Sequence, residues 1–159
     1  MAIKIFIDQG HNPVNPNAGA EAGGVREQDI TYEVGVRLAR LLNDNPNFEA
    51  RLSRNSPTEQ LGTSNATSLQ TRARMANEWG AGFFISLHCN ASTIETASGS
   101  EAYVYSRESP ANSMAFRILE GLHNRTGLPN RGVFVRPSLY VLRATQMPAV
   151  LVELGFITN

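Results

Sequence analysis

Three nearly unbroken apolar runs, "IKIFI" from residue 3, "FFISL" from residue 83 and "PAVLV" from residue 148, restrict what this chain of 159 residues can fold into. A strand with one wet face alternates apolar and polar residues, whereas an unbroken run belongs to a strand covered on both faces, as in a parallel sheet clothed by helices. The intervals between the runs supply the helices. Residues 28 to 43 repeat Ile30, Val34, Leu38 and Leu41 at helical spacing. A second helix is expected from a capping box of Thr67 and Gln70, with Leu69, Ala73 and Ala76 as its inner stripe and Gly80 as its stop. A third begins at Ser109 and Pro110, ends near Gly127, and turns Ala115, Ile118, Leu119 and Leu122 towards the core. Between these, "FEARLS" and "SEAYVYS" alternate as half-buried strands do. The last third, from "RGVFV" on, reads as a turn-rich start followed by one short and one fully buried strand. The expectation is an α/β fold, a single three-layer domain over residues 1–159 with a mostly parallel (mixed) twisted sheet and helices on both faces.

Bulk composition excludes several functional classes. Lys and Arg number 14 and Asp and Glu also 14, so no basic surplus advertises nucleic acid or an anionic membrane. The single cysteine, Cys89, forbids an internal disulfide and a cysteine-based zinc cluster. The opening "IKIFI" is too short for a signal sequence or a membrane span, so no export signal and no membrane partner are expected, and nothing in the pattern calls for more than a monomer.

The three apolar runs end in polar residues of one chemical kind. The first reaches His11, the second His88, and the third holds Glu153 between Val152 and Leu154. Ligands of open α/β sheets bind beyond the carboxyl ends of the strands, so parallel strands would bring these residues to one edge. Glu27, at the start of the helix after the first strand, joins the same edge. Two imidazoles and two carboxylates suit a zinc ion held by three ligands with a fourth position for water, leaving one carboxylate as a base. Spacing alone does not decide which carboxylate does which. Each residue also has an ordinary structural reading: a strand-end histidine satisfied in a loop, a first-turn glutamate favoured by the helix dipole, and a Glu153 paired with an arginine such as Arg143. Asp8 and Asn90 stand beside the candidate ligands and could orient them. Cys89 should point to the opposite face as core filling, and His123 should flank its helix at the surface.

The ordered motifs "IFIDQGHNP", "REQDI", "FISLHCNAS", "GSEAYVY" and "MPAVLVELGFITN" resemble those of the zinc-dependent N-acetylmuramoyl-L-alanine amidases of the amidase-3 family, over nearly the whole chain. The resemblance implies one zinc per chain bound by His11, Glu27 and His88, with Glu153 as catalytic base. It also implies peptidoglycan as substrate, cleaved at the amide between N-acetylmuramic acid and L-alanine at the cell wall, as in an autolysin or endolysin. Two other functions fit the same residues: a zinc carboxypeptidase acting on stem peptides, and a non-catalytic peptidoglycan-binding module. The chain departs from the family at Gln9, Asn12 and Pro13 around the first histidine. It also stops after "GFITN", where family members usually continue into a further helix, so either the C-terminus is truncated or the surface that helix packs on is uncovered. Between His88 and "GSEAYVY" there is no room for the inhibitory insertion of some cell-division relatives, so no activator is expected. Lacking an export signal, the chain would reach the wall by phage-type release or would be a trimmed form.

Overall fold

The computed structural model describes residues 1–159. In chain order the elements are β1 (Ile3–Gln9), β2 (Glu21–Ala22), β3 (Val25–Arg26), α1 (Glu27–Asn43), β4 (Phe48–Leu52), α2 (Asn65–Trp79), β5 (Phe83–Asn90), β6 (Ser100–Val104), α3 (Pro110–Thr126), β7 (Asn130–Val135), α4 (Tyr140–Ala144) and β8 (Ala149–Phe156). Six strands form one sheet in the order β4-β1-β5-β8-β6-β7. Neighbours β4, β1, β5 and β8 are mutually parallel, and β6 turns the direction by pairing antiparallel with β8 before β7 joins it in parallel. This is the mixed, mostly parallel sheet the apolar runs imply, and the three runs are its central strands.

Their unbroken hydrophobicity has a direct cause, since each strand feeds two cores. Ile5, Ile7, Ile85, Leu87, Val150 and Val152 face a cluster with Ala39 of α1 and Ala111, Ala115 and Leu119 of α3. The intervening Phe6, Phe84 and Leu151 face a second cluster with Ala76 of α2 and Val141 and Leu142 of α4. Successive side chains of a strand point to opposite faces, so a strand between two helix layers is apolar at most positions, and its buried polar residues, Asp8, Gln9 and Ser86, are hydrogen-bonded. The outer edge of β4 is also covered. The Asn43 side-chain amide donates to the Ala50 carbonyl (3.3 Å), and its carbonyl accepts from the Ala50 N–H (2.7 Å), closing a row that would otherwise template further pairing.

Two local expectations are corrected. The cap of α2 is Ser64 with Thr67 in a reciprocal box, one turn earlier than the Thr67 and Gln70 pairing. The Ser64 hydroxyl accepts from the Thr67 N–H and the Thr67 hydroxyl accepts from the Ser64 N–H, so the cap satisfies two donors and Thr67 already lies inside the helix. In the last third, residues 130–135 form edge strand β7 and residues 140–144 the short helix α4, where turns and a short strand were expected. Burial explains both. Strand β7 is largely exposed, so its pattern carries no alternation, and α4 is one turn whose Val141 and Leu142 are adjacent core residues of either secondary structure. Gly80 and Gly127 terminate α2 and α3 in the left-handed region, as expected.

Candidate metal centre

Strands β1 and β5 lie side by side in parallel, and their ends carry His11 and His88. His11 follows Gly10 and takes φ of 70°, a conformation that a non-glycine residue adopts only where its surroundings compel it. The chain must turn sharply here to bring the imidazole back over the sheet edge. Gly10 makes the turn possible, because a Cβ at that position would stand 2.4 Å from the Leu87 carbonyl oxygen and 2.6 Å from two atoms of the His88 ring. The hairpin of β2 and β3, with Gly23 and Gly24 both at positive φ, then delivers the chain to the first residue of α1, which is Glu27.

These three side chains converge. Glu27 Oε1 lies 3.0 Å from His11 Nε2 and 3.1 Å from His88 Nδ1, and the two ring nitrogens are 3.2 Å apart. Glu27 is 4% exposed, so it is no solvated first-turn glutamate. Its Oε1 also accepts from the Cys89 N–H and its Oε2 from the Ala20 N–H, each at 2.9 Å. Burial alone would raise the Glu27 carboxyl, but hydrogen bonds and charge from the two imidazoles outweigh it and hold the group well below the usual carboxylate range. The donor atoms fit a metal ion. Zinc bonds of about 2.0–2.1 Å at tetrahedral angles set neighbouring ligand atoms about 3.3 Å apart, close to the three edges observed. As a purely hydrogen-bonded triangle the arrangement is poor, since Oε1, which already accepts from the Cys89 N–H, would have to take two imidazole N–H groups as well. Lone pairs aimed at a common cation meet no such conflict. His11, Glu27 and His88 could thus hold a metal ion.

Glu153 stands beside the triangle. Across the β5–β8 pairing it lies opposite His88, and across β8–β6 it lies opposite Glu101. Its Oε2 is buried without a hydrogen-bond partner. The Arg143 pairing considered from the sequence is absent, because Arg143 is exposed and donates to the Ser138 carbonyl. Burial first, and then the negative charge of Glu27 and Glu101, push the Glu153 carboxyl up from 4.5 to about 8. A lone carboxyl held near neutrality by dry surroundings and like charge is a group suited to accepting and releasing a proton.

The remaining candidates separate. His123 is exposed, as expected, and its Nδ1 contacts the Leu128 carbonyl. Cys89 is buried among the core residues, as expected, and burial, with nearby Glu27 and Glu153, raises its thiol to about 12. Asp8 and Asn90 touch none of the three ligands. Asn90 donates to Glu101 (2.9 Å), and Asp8 accepts from the Arg72 guanidinium (2.7 Å) and the Ser86 hydroxyl (2.7 Å).

Sequence reasoning missed Arg72, which is 1% exposed on α2 and donates also to the carbonyls of Gln9 (2.5 Å) and His11 (2.6 Å). It therefore fixes the backbone that carries His11. Buried Arg54 does the same for the other side, donating to the Gln28 carbonyl (2.7 Å) next to Glu27. A signal for Arg72 was present: it lies three residues after Leu69 and four before Ala76, on the inner stripe of its helix.

A mixed sheet with helices on both faces, two imidazoles and a carboxylate converging at its edge and a second carboxylate alongside define an α/β protein whose sheet edge could hold a metal ion. Residues 5–159 match the Amidase_3 family, described as N-acetylmuramoyl-L-alanine amidase, and the chain belongs to that family. It is 35% identical over 159 residues to the N-acetylmuramoyl-L-alanine amidase CwlM of Bacillus licheniformis, covering 99% of this chain and 58% of that protein. With the endolysin of Bacillus phage SPP1 it shares 31% identity over 165 residues, covering 100% of this chain and 56% of the endolysin. It thus spans little more than half the length of these relatives. Among solved structures, the N-acetylmuramoyl-L-alanine amidase from Clostridium difficile 630 superposes with a TM-score of 0.86 at 28% identity, over 99% of this chain and 82% of that one.

Proposed function

We propose that residues 1–159 form a catalytic domain that hydrolyses the amide between N-acetylmuramic acid and L-alanine in peptidoglycan, using one zinc ion held by His11, Glu27 and His88. The observation that carries this reading is the triangle of donor atoms with edges of 3.0–3.2 Å, in a chain of the amidase family. Bound there, zinc would supply Lewis acidity towards the substrate carbonyl and activate water for attack at neutral pH. Glu27, already ionised, needs no deprotonation to serve as a ligand, and Arg72 and Arg54 keep the ligand-bearing backbone in place. Glu153 takes the proton of the attacking water on its carboxylate and returns it to the departing amine nitrogen of L-alanine. The amide C–N bond breaks, one water is consumed, and the products are a lactyl carboxylate on the glycan and a peptide with a free N-terminus.

Each chain carries the whole residue set, and no helix lies between Asn90 and Ser100 to cover it, so the reading requires neither a partner subunit nor an activator. The site of action would be the cell wall, as the name of the phage endolysin relative suggests. No helix of the chain is long and apolar enough to cross a membrane. The test is mass analysis of peptidoglycan digested by the zinc-supplemented protein. New N-terminal alanine is expected. Release of C-terminal residues would instead identify a carboxypeptidase, and intact walls a binding module. Glu153→Gln should lower turnover roughly 10²- to 10⁴-fold with zinc content retained.

A further inference from the structure

The row that holds His88 and Glu153 continues to Glu101, and beyond it to an arginine built into the sheet by an irregularity. Residues paired across neighbouring strands point to the same face, and each strand adds about 4.8 Å, so Glu101 lies roughly 10 Å from the strand of His88 on the candidate site's own face. Both oxygens of Glu101 are engaged. Its Oε1 accepts from Asn90 Nδ2 (2.9 Å) and the Tyr103 hydroxyl, and its Oε2 accepts from Arg131 Nε (2.8 Å). Strand β7 pairs Asn130 with Ser100 and Gly132 with Glu101, so Arg131 is an extra residue in a bulge. Bulges re-aim side chains and occur disproportionately beside active sites.

Three further contacts fix this guanidinium. Its plane lies over the Phe156 ring at 5.0 Å, and its Nη1 donates to the Ser98 carbonyl at 3.4 Å. Its stem crosses Gly99, where a Cβ would come within 2.9–3.0 Å of Arg131 Cγ and Cδ. Yet Nη2 has no protein partner, and the side chain remains 43% exposed. A surface ion pair needs none of this apparatus. A guanidinium oriented by a carboxylate, an aromatic face and a glycine, with one donor edge left open, is the arrangement that recognises an anion.

The rest of the row is acidic, with Glu101 and Glu153 and, beside them, Glu27. A negatively charged substrate group entering this face would be repelled without a cation to meet it. The separation sets which group that is. Arg131 stands on the strand beyond Glu101, but its guanidinium reaches back to that carboxylate. Its distance from the strand of His88 is therefore about that of Glu101, roughly 10 Å, which an extended peptide at about 3.3–3.6 Å per residue covers in two or three residues. We propose that Arg131, held by Glu101, Phe156 and the β7 bulge, is a specificity-determining residue that binds a carboxylate on the second or third residue of the peptide leaving group. The proposal rests on the amidase reading and adds an acidic-peptide requirement to it.

The experiment compares two muramyl dipeptides, N-acetylmuramoyl-L-alanyl-D-glutamate and its diamide, in which both carboxyl groups of the second residue are blocked. With zinc-loaded protein, the carboxylate form should have the lower KM, by about 10-fold, the scale of one charge-assisted contact. Arg131→Gln should raise KM for the carboxylate form much more than for the diamide and so abolish the preference, with zinc content retained. Arg131→Lys should recover part of the preference. Equal losses on both substrates, as a merely structural ion pair gives, or an intact preference in Arg131→Gln, would overturn the proposal. Calorimetric binding of both dipeptides to Glu153→Gln, with and without Arg131→Gln, separates the two levels. Cleavage without preference for the carboxylate refutes the Arg131 role alone. A binding preference lost with Arg131, but no cleavage by any variant, upholds that role and refutes the amidase reading.

Discussion

Glu153→Gln should make the metal-free protein more stable at neutral pH, the opposite of what the loss of an ion-pair partner would do. The carboxyl is raised from 4.5 to about 8 by burial and by the charges of Glu27 and Glu101. Below pH 4.5 it is protonated in both folded and unfolded chains and contributes no pH dependence. Between 4.5 and about 8 the unfolded chain gives up a proton that the folded chain retains, so stability falls by about 1.4 kcal/mol per pH unit. Above about 8 both states are ionised and the loss stays constant. At pH 7 the accumulated loss is roughly 3 kcal/mol, and glutamine, which has the shape of the protonated acid and never ionises, avoids it. For a chain of this size that corresponds to a melting temperature higher by roughly 6–12 °C. Thermal melts of chelator-treated protein from pH 4 to 9 provide the assay. The curves of the two proteins should coincide near pH 4.5, diverge as pH rises, and run parallel above about 8. Curves that stay together throughout, or a glutamine variant less stable at pH 7, would show that Glu153 does not sit alone among other carboxylates.

Three further outcomes follow from the geometry. His88→Ala removes one corner of the donor triangle and should abolish equimolar zinc binding; undiminished zinc by metal analysis would exclude this ligand assignment. Arg72→Met leaves Asp8 buried without its partner and frees the carbonyls of Gln9 and His11, so it should cost about 3–5 kcal/mol and lower the melting temperature by roughly 6–20 °C. A near-normal melting curve would refute the role assigned to that ion pair. Gly10→Ala places a methyl 2.4 Å from the Leu87 carbonyl oxygen and 2.6 Å from the His88 ring, and should lower the melting temperature and weaken zinc affinity about 10- to 100-fold in a chelator competition. Unchanged affinity would mean that the ring does not depend on this glycine.

The sheet was legible in the sequence because two helix layers demand apolar residues at most positions of a central strand, and a nearly unbroken run records that demand locally. The candidate site was legible for a related reason. His11, His88 and Glu153 are polar residues where such runs end, and parallel strands end on one side. Glu27 needed only the additional step that a helix following a strand starts on that same side. What escaped was whatever depends on pairing between distant segments. Arg72 reads as an ordinary polar residue of "TSLQTRARMANEW" because its partner Asp8 lies 64 residues earlier, and a buried ion pair leaves no sign on either segment alone. Glu101 was invisible as a site neighbour because its place opposite Glu153 depends on β6 running against β8, a reversal that alternation cannot report. That reversal bears on Glu153 itself. With β6 placed there, a carboxylate faces it from a neighbouring strand, and the apolar flanks that made Glu153 conspicuous are only part of what raises its proton affinity. The charge that looked anomalous for want of a cation is held by design among anions, and the row it belongs to reaches a cation only at Arg131.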